Sequence, residues 1–201
     1  MIDLHTHSQI NNKPPIIYFG RLTASKGIDL FLRSIKLVVE KDLEIAPNIW
    51  IVGGNNHEIA KIKESVECAS IVNELESKNL IFWWGHIPHE MLPYILAKCS
   101  IFCFTSQYEP GGRTLLEAMA SGLPVIAKPH GFSRDIIRNG HNGYIVESNN
   151  ERDWANKIEL LLRNPEIRQK IGKEAKKTIV DNYSMQDFFQ KHWQCYSLFL
   201  P

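Results

Sequence analysis

Two glutamates, Glu109 and Glu117, stand with seven residues between them in the stretch YEPGGRTLLEAMASGLPVI, Tyr108 to Ile126. Gly111 and Gly112 lie between them, where the chain turns into a helical pattern. A glycine turn that opens a helix leaves backbone N–H groups free to hold an anion. Glu117 falls about one turn into that helix, so both carboxylates can face one cleft. A second cluster lies upstream in GRLTASKG, Gly20 to Gly27. Gly20 permits a tight turn, and Arg21 and Lys26 put two cations near the start of the next helix. Arginine binds phosphate oxygens bidentately and lysine acts as a point charge. Each feature has a plain explanation when taken singly. The cations could be solvated, Glu109 could be a loop charge, and Glu117 could complement a helix dipole. The combination is more specific, and it points to a phosphate-bearing ligand.

The elements that must position these residues follow from the apolar pattern. Six short apolar runs read as strands: Pro15–Gly20, Asn48–Gly54, Asn79–Gly85, Ser100–Ser106, Leu123–Lys128 and Gly143–Glu147. Helical spacing separates them: Lys26–Glu40, a charged amphipathic stretch up to Lys78, Glu90–Lys98, and Arg113–Ser121. Continuous apolar strands alternating with helices predict a parallel sheet covered on both faces. The expected fold is α/β, a Rossmann-like doubly wound sheet of about six strands. Its ligands bind at the carboxyl ends of the strands. A helical tail is predicted over 151–163, 165–182 and 184–199, with Ser184 as an N-cap. Residues 1–14 read as an arm or linker, and residues 15–201 as one domain.

Composition narrows the function. The 201 residues are 44% hydrophobic and 22% charged, with a formal net charge of +1. That balance gives no broad basic field for nucleic acid. No apolar run has the length of a membrane span. The cysteines Cys68, Cys99, Cys103 and Cys195 follow neither a zinc nor a disulfide spacing. They are expected in a reducing cytoplasm. The opening MIDLHTHS places His5 and His7 on one face of an extended segment, as a metal site would. The remaining histidines do not fall into a pattern that completes such a site, so an arm is expected there. No G-x-G-x-x-G follows the first strand, which argues against a dehydrogenase.

Together GRLTASKG and EPGGRTLLEAMASGLPVIA resemble the C-terminal domain of the retaining GT-B glycosyltransferases of group 1, also called family four. GHIPHEMLPYILAKCSIFCFTS and HNGYIVE are similar to the family's intervening segment and closing strand. The resemblance runs from about Pro15 to Phe199. It implies a domain that binds a nucleoside-diphosphate sugar, such as a UDP- or GDP-sugar, for polysaccharide or glycoconjugate synthesis. It implies that Arg21 and Lys26, at the turn made by Gly20, bind the diphosphate. Glu109 would face the transferred sugar, helped by the N–H groups at Gly111 and Gly112. The backbone at Thr114 and Leu115 would touch phosphate, and Glu117 would accept from the ribose hydroxyls. Arg21, Lys26 and Glu109 would thus be the catalytic set. No cofactor and no metal are expected, because the two cations supply the positive charge.

The sequence departs from the family pattern in places. Gly111 stands where an aromatic residue is more usual. Ser100 opens the fourth strand in place of an aspartate. HGFSRDIIRNGHNG replaces a G-G-x-x-E loop, with Asp135 near the glutamate's position. The family's enzymes have a further N-terminal domain that binds the acceptor. The chain is therefore expected to need that domain, or a partner supplying it, and to be inactive alone. The full enzyme is expected in the cytoplasm or peripherally at the membrane's cytoplasmic face. In the family, the final helix packs onto the N-terminal domain, which would expose Phe188, Phe189, Trp193, Tyr196 and Phe199. Capping of this domain's own core is the other reading. The alternative function is a non-catalytic module of the same fold that binds a sugar nucleotide or a partner protein.

Overall fold

A computed structural model of the chain describes residues 13–109, 111–184, 186, 189, 190, 193 and 194. The expected arm, with His5 and His7, therefore lies outside the described residues apart from its end. So do Cys195, Phe188, Tyr196 and Phe199 of the expected last helix. Phe189 and Trp193 are described, and both are exposed, at 63% and 68%.

Six strands form one parallel sheet: β1 (Ile16–Phe19), β2 (Ile49–Val52), β3 (Ile81–Gly85), β4 (Ile101–Phe104), β5 (Val125–Ala127) and β6 (Tyr144–Ile145). Their order is β3-β2-β1-β4-β5-β6. The doubly wound expectation is met, and the order reverses between β1 and β4. The strands are shorter than the apolar runs, because the run ends become loops. At the start of β4, Ser100 replaces the usual acid with a local tie. Its hydroxyl donates to the carbonyls of Pro14 (3.0 Å) and Pro15 (3.1 Å), pinning the entry of β1 to that of β4.

Helices cover both faces: α1 (Ile28–Lys41), α2 (Asn56–Glu64), α3 (Ala69–Ser77), α4 (Leu92–Leu96), α5 (Arg113–Ala120), α6 (Phe132–Ile136), α7 (Glu151–Arg163) and α8 (Pro165–Asn182). Successive strand residues point to opposite faces, and the core divides accordingly. Ile16, Tyr18, Ile49 and Ile51 join Phe31, Val72 and Trp154 on the face of α1, α3 and α7. Ile17, Trp50, Phe102 and Phe104 join Ile95, Leu115, Met119 and Ala175 on the face of α4, α5 and α8.

Three expectations need correction. The first helix begins at Ile28, because Ala24–Lys26 form a separate 3-10 turn that ends at left-handed Gly27. The stretch up to Lys78 is two helices. Asn55 and Glu58 make a capping box that opens α2. Ser65 then ends it, donating from its hydroxyl to Ile62 and accepting from the N–H of Cys68, so the chain turns before α3. The segment after β5 was expected as a loop but contains α6.

Candidate functional site

The carboxyl ends of β1 and β4 border a cleft of about 360 Å³. This is the switch point, where doubly wound sheets bind their ligands. Gly20, Arg21, Lys26, Glu109 and Thr114 line it, with Thr105, Ser106 and His86.

The β1–α1 loop is held from several sides. The buried Tyr18 hydroxyl lies 3.0 Å from the Arg21 carbonyl and 3.3 Å from that of Lys26. Burial pushes the Tyr18 phenol up, with Asp29 adding to the shift, so it stays neutral. Thr105 donates to the Lys26 carbonyl at 3.2 Å. Gly27 has φ of +67°, and a Cβ there would meet the Thr105 carbonyl oxygen at 2.2 Å. Only glycine permits both the left-handed turn and this approach. Gly53 plays the matching part for the first site glycine: its Cβ would lie 2.0 Å from the Gly20 carbonyl oxygen. The space where a Cβ of Gly20 would sit is open.

The β4–α5 loop carries the carboxylate. The Lys26 ammonium pairs with Glu109 and lies 3.3 Å from the Tyr108 carbonyl. The other Glu109 oxygen, Oε1, accepts from the N–H groups of Gly111 (3.4 Å) and Gly112 (3.3 Å). Partial burial pushes the Glu109 carboxyl up, but Lys26 and the two N–H groups outweigh it and hold it below the usual carboxylate range. Gly112 caps α5 in the left-handed conformation and offers no side chain. The first-turn N–H groups of α5, at Arg113, Thr114 and Leu115, have no intrahelical acceptors.

The predicted residues divide into three groups. Arg21, Lys26, Glu109 and Thr114 meet at the cleft with Gly20, and Gly111 and Gly112 join through Glu109. The Leu115 side chain is fully buried, so only its backbone can serve a ligand. Glu117 is not among the lining residues of this cleft. It lies three positions after Thr114, hence on the same side of α5 one turn deeper, where its Oε1 is 2.8 Å from His89 Nε2. Asp135 is exposed on α6 and does not line the cleft either. Arg21 is exposed, and its side chain has no hydrogen-bond or ion-pair partner among the described residues.

Three residues were not foreseen. His86 follows β3 directly, and the strand-end rule alone could have singled it out. His89 is visible only through tertiary contact. Lys128 closes the fifth apolar run yet is 2% exposed. Its ammonium donates to Gln107 at 2.7 Å and also to Asn149, which fixes the approach to Tyr108 and Glu109. Burial lowers its pKa, and Asp29 partly opposes this. Lys128 and Arg134, together with burial as the larger cause, lower the pKa of His130. Among the described residues, no three His, Cys, Asp or Glu side chains group as metal ligands. No described helix is long and apolar enough to cross a membrane.

A parallel sheet in this order, with a glycine-lined cleft bearing Arg21 and Lys26 at its switch point, defines a Rossmann-like domain with a candidate ligand site there. Comparison with known sequences narrows that class. The chain belongs to the glycosyl transferases of group 1, whose family pattern matches residues 3–178. It corresponds to the C-terminal domain of these GT-B enzymes. It is 30% identical over 178 residues to a poly(ribitol-phosphate) alpha-N-acetylglucosaminyltransferase of Staphylococcus aureus, covering 87% of this chain and 33% of that enzyme. A crystal structure of a TarM variant from S. aureus, in complex with fondaparinux, alpha-GlcNAc-glycerol and UDP, superposes with a TM-score of 0.74 at 29% identity. That match covers 90% of this chain and 35% of TarM. The fold also matches the solved C-terminal domain of the group 1 protein LpcC from Francisella tularensis, with a TM-score of 0.73 at 22% identity, covering 92% of this chain and 95% of that one. The chain spans less than half the length of curated relatives such as the S. aureus enzyme and the capsular glycosyltransferase CapM.

Proposed function

We propose that this chain is the donor-binding domain of a glycosyltransferase that moves a sugar from a nucleoside-diphosphate sugar to an acceptor, with retention at the anomeric carbon. The observation that carries this reading is the meeting of Arg21, Lys26, Glu109 and the start of α5 at one cleft on the switch point. Arg21 and Lys26 bind the diphosphate and stabilise the negative charge that grows as it departs. The first-turn N–H groups of α5, at Thr114 and Leu115, add to that stabilisation. Glu109 accepts from hydroxyls of the transferred sugar, and Glu117, which lies beside the cleft against His89, from those of a ribose that extends past Thr114. UDP in the TarM complex supports a uridine nucleotide as donor here. The positive charge in this scheme comes from the protein itself, so it uses no metal.

The acceptor needs a second wall facing this cleft. An N-terminal domain supplies it in this reading, and the greater length of the relatives supports that division. Residues 15–201 form the donor domain, which binds nucleotide but transfers no sugar alone. Calorimetry with UDP, GDP and ADP tests the binding half. Micromolar binding of one of them is expected, and no binding of any overturns the reading. Transfer is expected only when the acceptor domain is supplied, and proton NMR of the product then reports the anomer. Donor-dependent glycosylation by the 201-residue chain alone would contradict the division of labour. Binding without turnover in the completed enzyme would identify the non-catalytic module instead.

A further inference from the structure

One carboxylate bridges the two loops and occupies the ammonium of one and the glycine N–H groups of the other, leaving the first-turn N–H groups of α5 open. Glu109 Oε2 meets the Lys26 ammonium, and Oε1 takes the N–H groups of Gly111 and Gly112. The Lys26 and Glu109 side chains are 14% and 20% exposed, so solvent screens their pairing only in part. Arg21 shares the cleft but is exposed and has no side-chain partner among the described residues. Of the two cations, then, one stands open and the other is already neutralised.

We propose that Glu109 is a specificity-determining residue that acts as the resident anion of the cleft and yields its place only to phosphate. This rests on the donor-binding reading above. A phosphate group meets the open Arg21 and then competes with Glu109 for Lys26 and the two N–H groups. It brings more charge and more acceptor oxygens than a carboxylate does, so it wins that exchange. A neutral nucleoside or a free sugar brings no charge and leaves Glu109 where it is. Once displaced, the carboxylate has lost its cation and its N–H donors. The sugar's hydroxyls are the donors that then satisfy it. Phosphate binding thereby makes the sugar contact available, and the two halves of the donor are read in a fixed order.

The test uses calorimetry with UDP and with inorganic pyrophosphate on the parent chain, Glu109→Gln, Glu109→Ala and Arg21→Ala. Both Glu109 variants are expected to bind both ligands more tightly, by at least about fivefold, the low end of couplings between linked sites. Arg21→Ala is expected to bind both more weakly. Unchanged or weaker binding by the Glu109 variants, with Arg21→Ala still impaired, overturns the proposal and leaves the donor-binding reading standing. Tighter binding of UDP with pyrophosphate unchanged also overturns it, because the gain would then lie with the nucleoside. Failure of every protein to bind either ligand overturns both. In the parent, pyrophosphate is expected to move the amide resonances of Gly111 and Gly112, and resonances that stay in place count against the exchange.

Discussion

The two loops that face each other across the cleft are fastened in different ways. The β1–α1 loop is seated on backbone: Gly27 rests against the Thr105 carbonyl, and Tyr18 and Thr105 engage its main-chain oxygens. The β4–α5 loop has one backbone tie at its start, from the Gln107 N–H to the Ser25 carbonyl at 2.8 Å, and side chains hold the rest. Ser106 donates to the Tyr108 carbonyl at 2.9 Å, Lys128 holds Gln107, and Lys26 pairs with Glu109. Tyr108 at its crest is 71% exposed. Backbone contact leaves little room for adjustment, whereas polar side-chain ties can be exchanged one for another. The lesson is a division between a loop whose main chain is held in place and one whose crest is held by polar side chains.

The most severe way to break this comparison is Gly27→Ala. The change forces a side chain into left-handed backbone and against Thr105, so about 3 kcal/mol of stability should be lost. Urea denaturation measures it, and nucleotide binding should fall with it. Next, Arg21→Ala and Lys26→Ala should each weaken nucleoside diphosphate binding by about 1.5–3 kcal/mol, the range for hydrogen bonds to charged groups. Arg21→Ala should leave stability within about 0.5 kcal/mol of the parent, as expected for a surface position. Calorimetry and denaturation together separate the two effects.

Lys128→Met sharpens the comparison from the other loop. It removes the donor to the amide oxygens of Gln107 and Asn149, but both residues are exposed and water can replace it, so the cost should be no more than about 0.5–1.5 kcal/mol of stability. The smallest effect concerns pH. The folded-state pKa of Glu109 is held down, so its ionised form stabilises the fold above the unfolded carboxylate value of about 4.3. That contribution is lost as pH falls through the lower, folded value. The stability difference between parent and Glu109→Gln should therefore shrink below about pH 4, as urea titrations across pH would show.

Much of this was legible in the residues themselves. All six strands were, because strands buried on both faces must read as continuous apolar runs. The cationic end of β1 and the carboxylate beside the glycines were found from strand-end position and helix-start chemistry. The break between α2 and α3 was not, since it depends on one hydroxyl of Ser65 bonding locally. Helix α6, at five residues, is too short to show a period. The pairings were out of reach for another reason. Lys26 and Glu109 lie 83 positions apart and His89 and Glu117 lie 28 apart, so only the folded sheet brings them into contact. Lys128 was hidden because a lysine at a strand end normally points to water.

The contact of Gly27 with Thr105 bears on how this domain could be re-engineered. It works like a dowel between two machined parts, fixing the main chain next to Lys26 against the end of β4. The ammonium itself sits on a flexible stem and is placed by Glu109 and the Tyr108 carbonyl. A library that aims at a different sugar should therefore leave Gly20–Gly27 untouched and vary Tyr108 and Gly111. In the donor-binding reading, substitutions at those positions reshape the sugar's surroundings while the main chain that carries Arg21 and Lys26 stays in place.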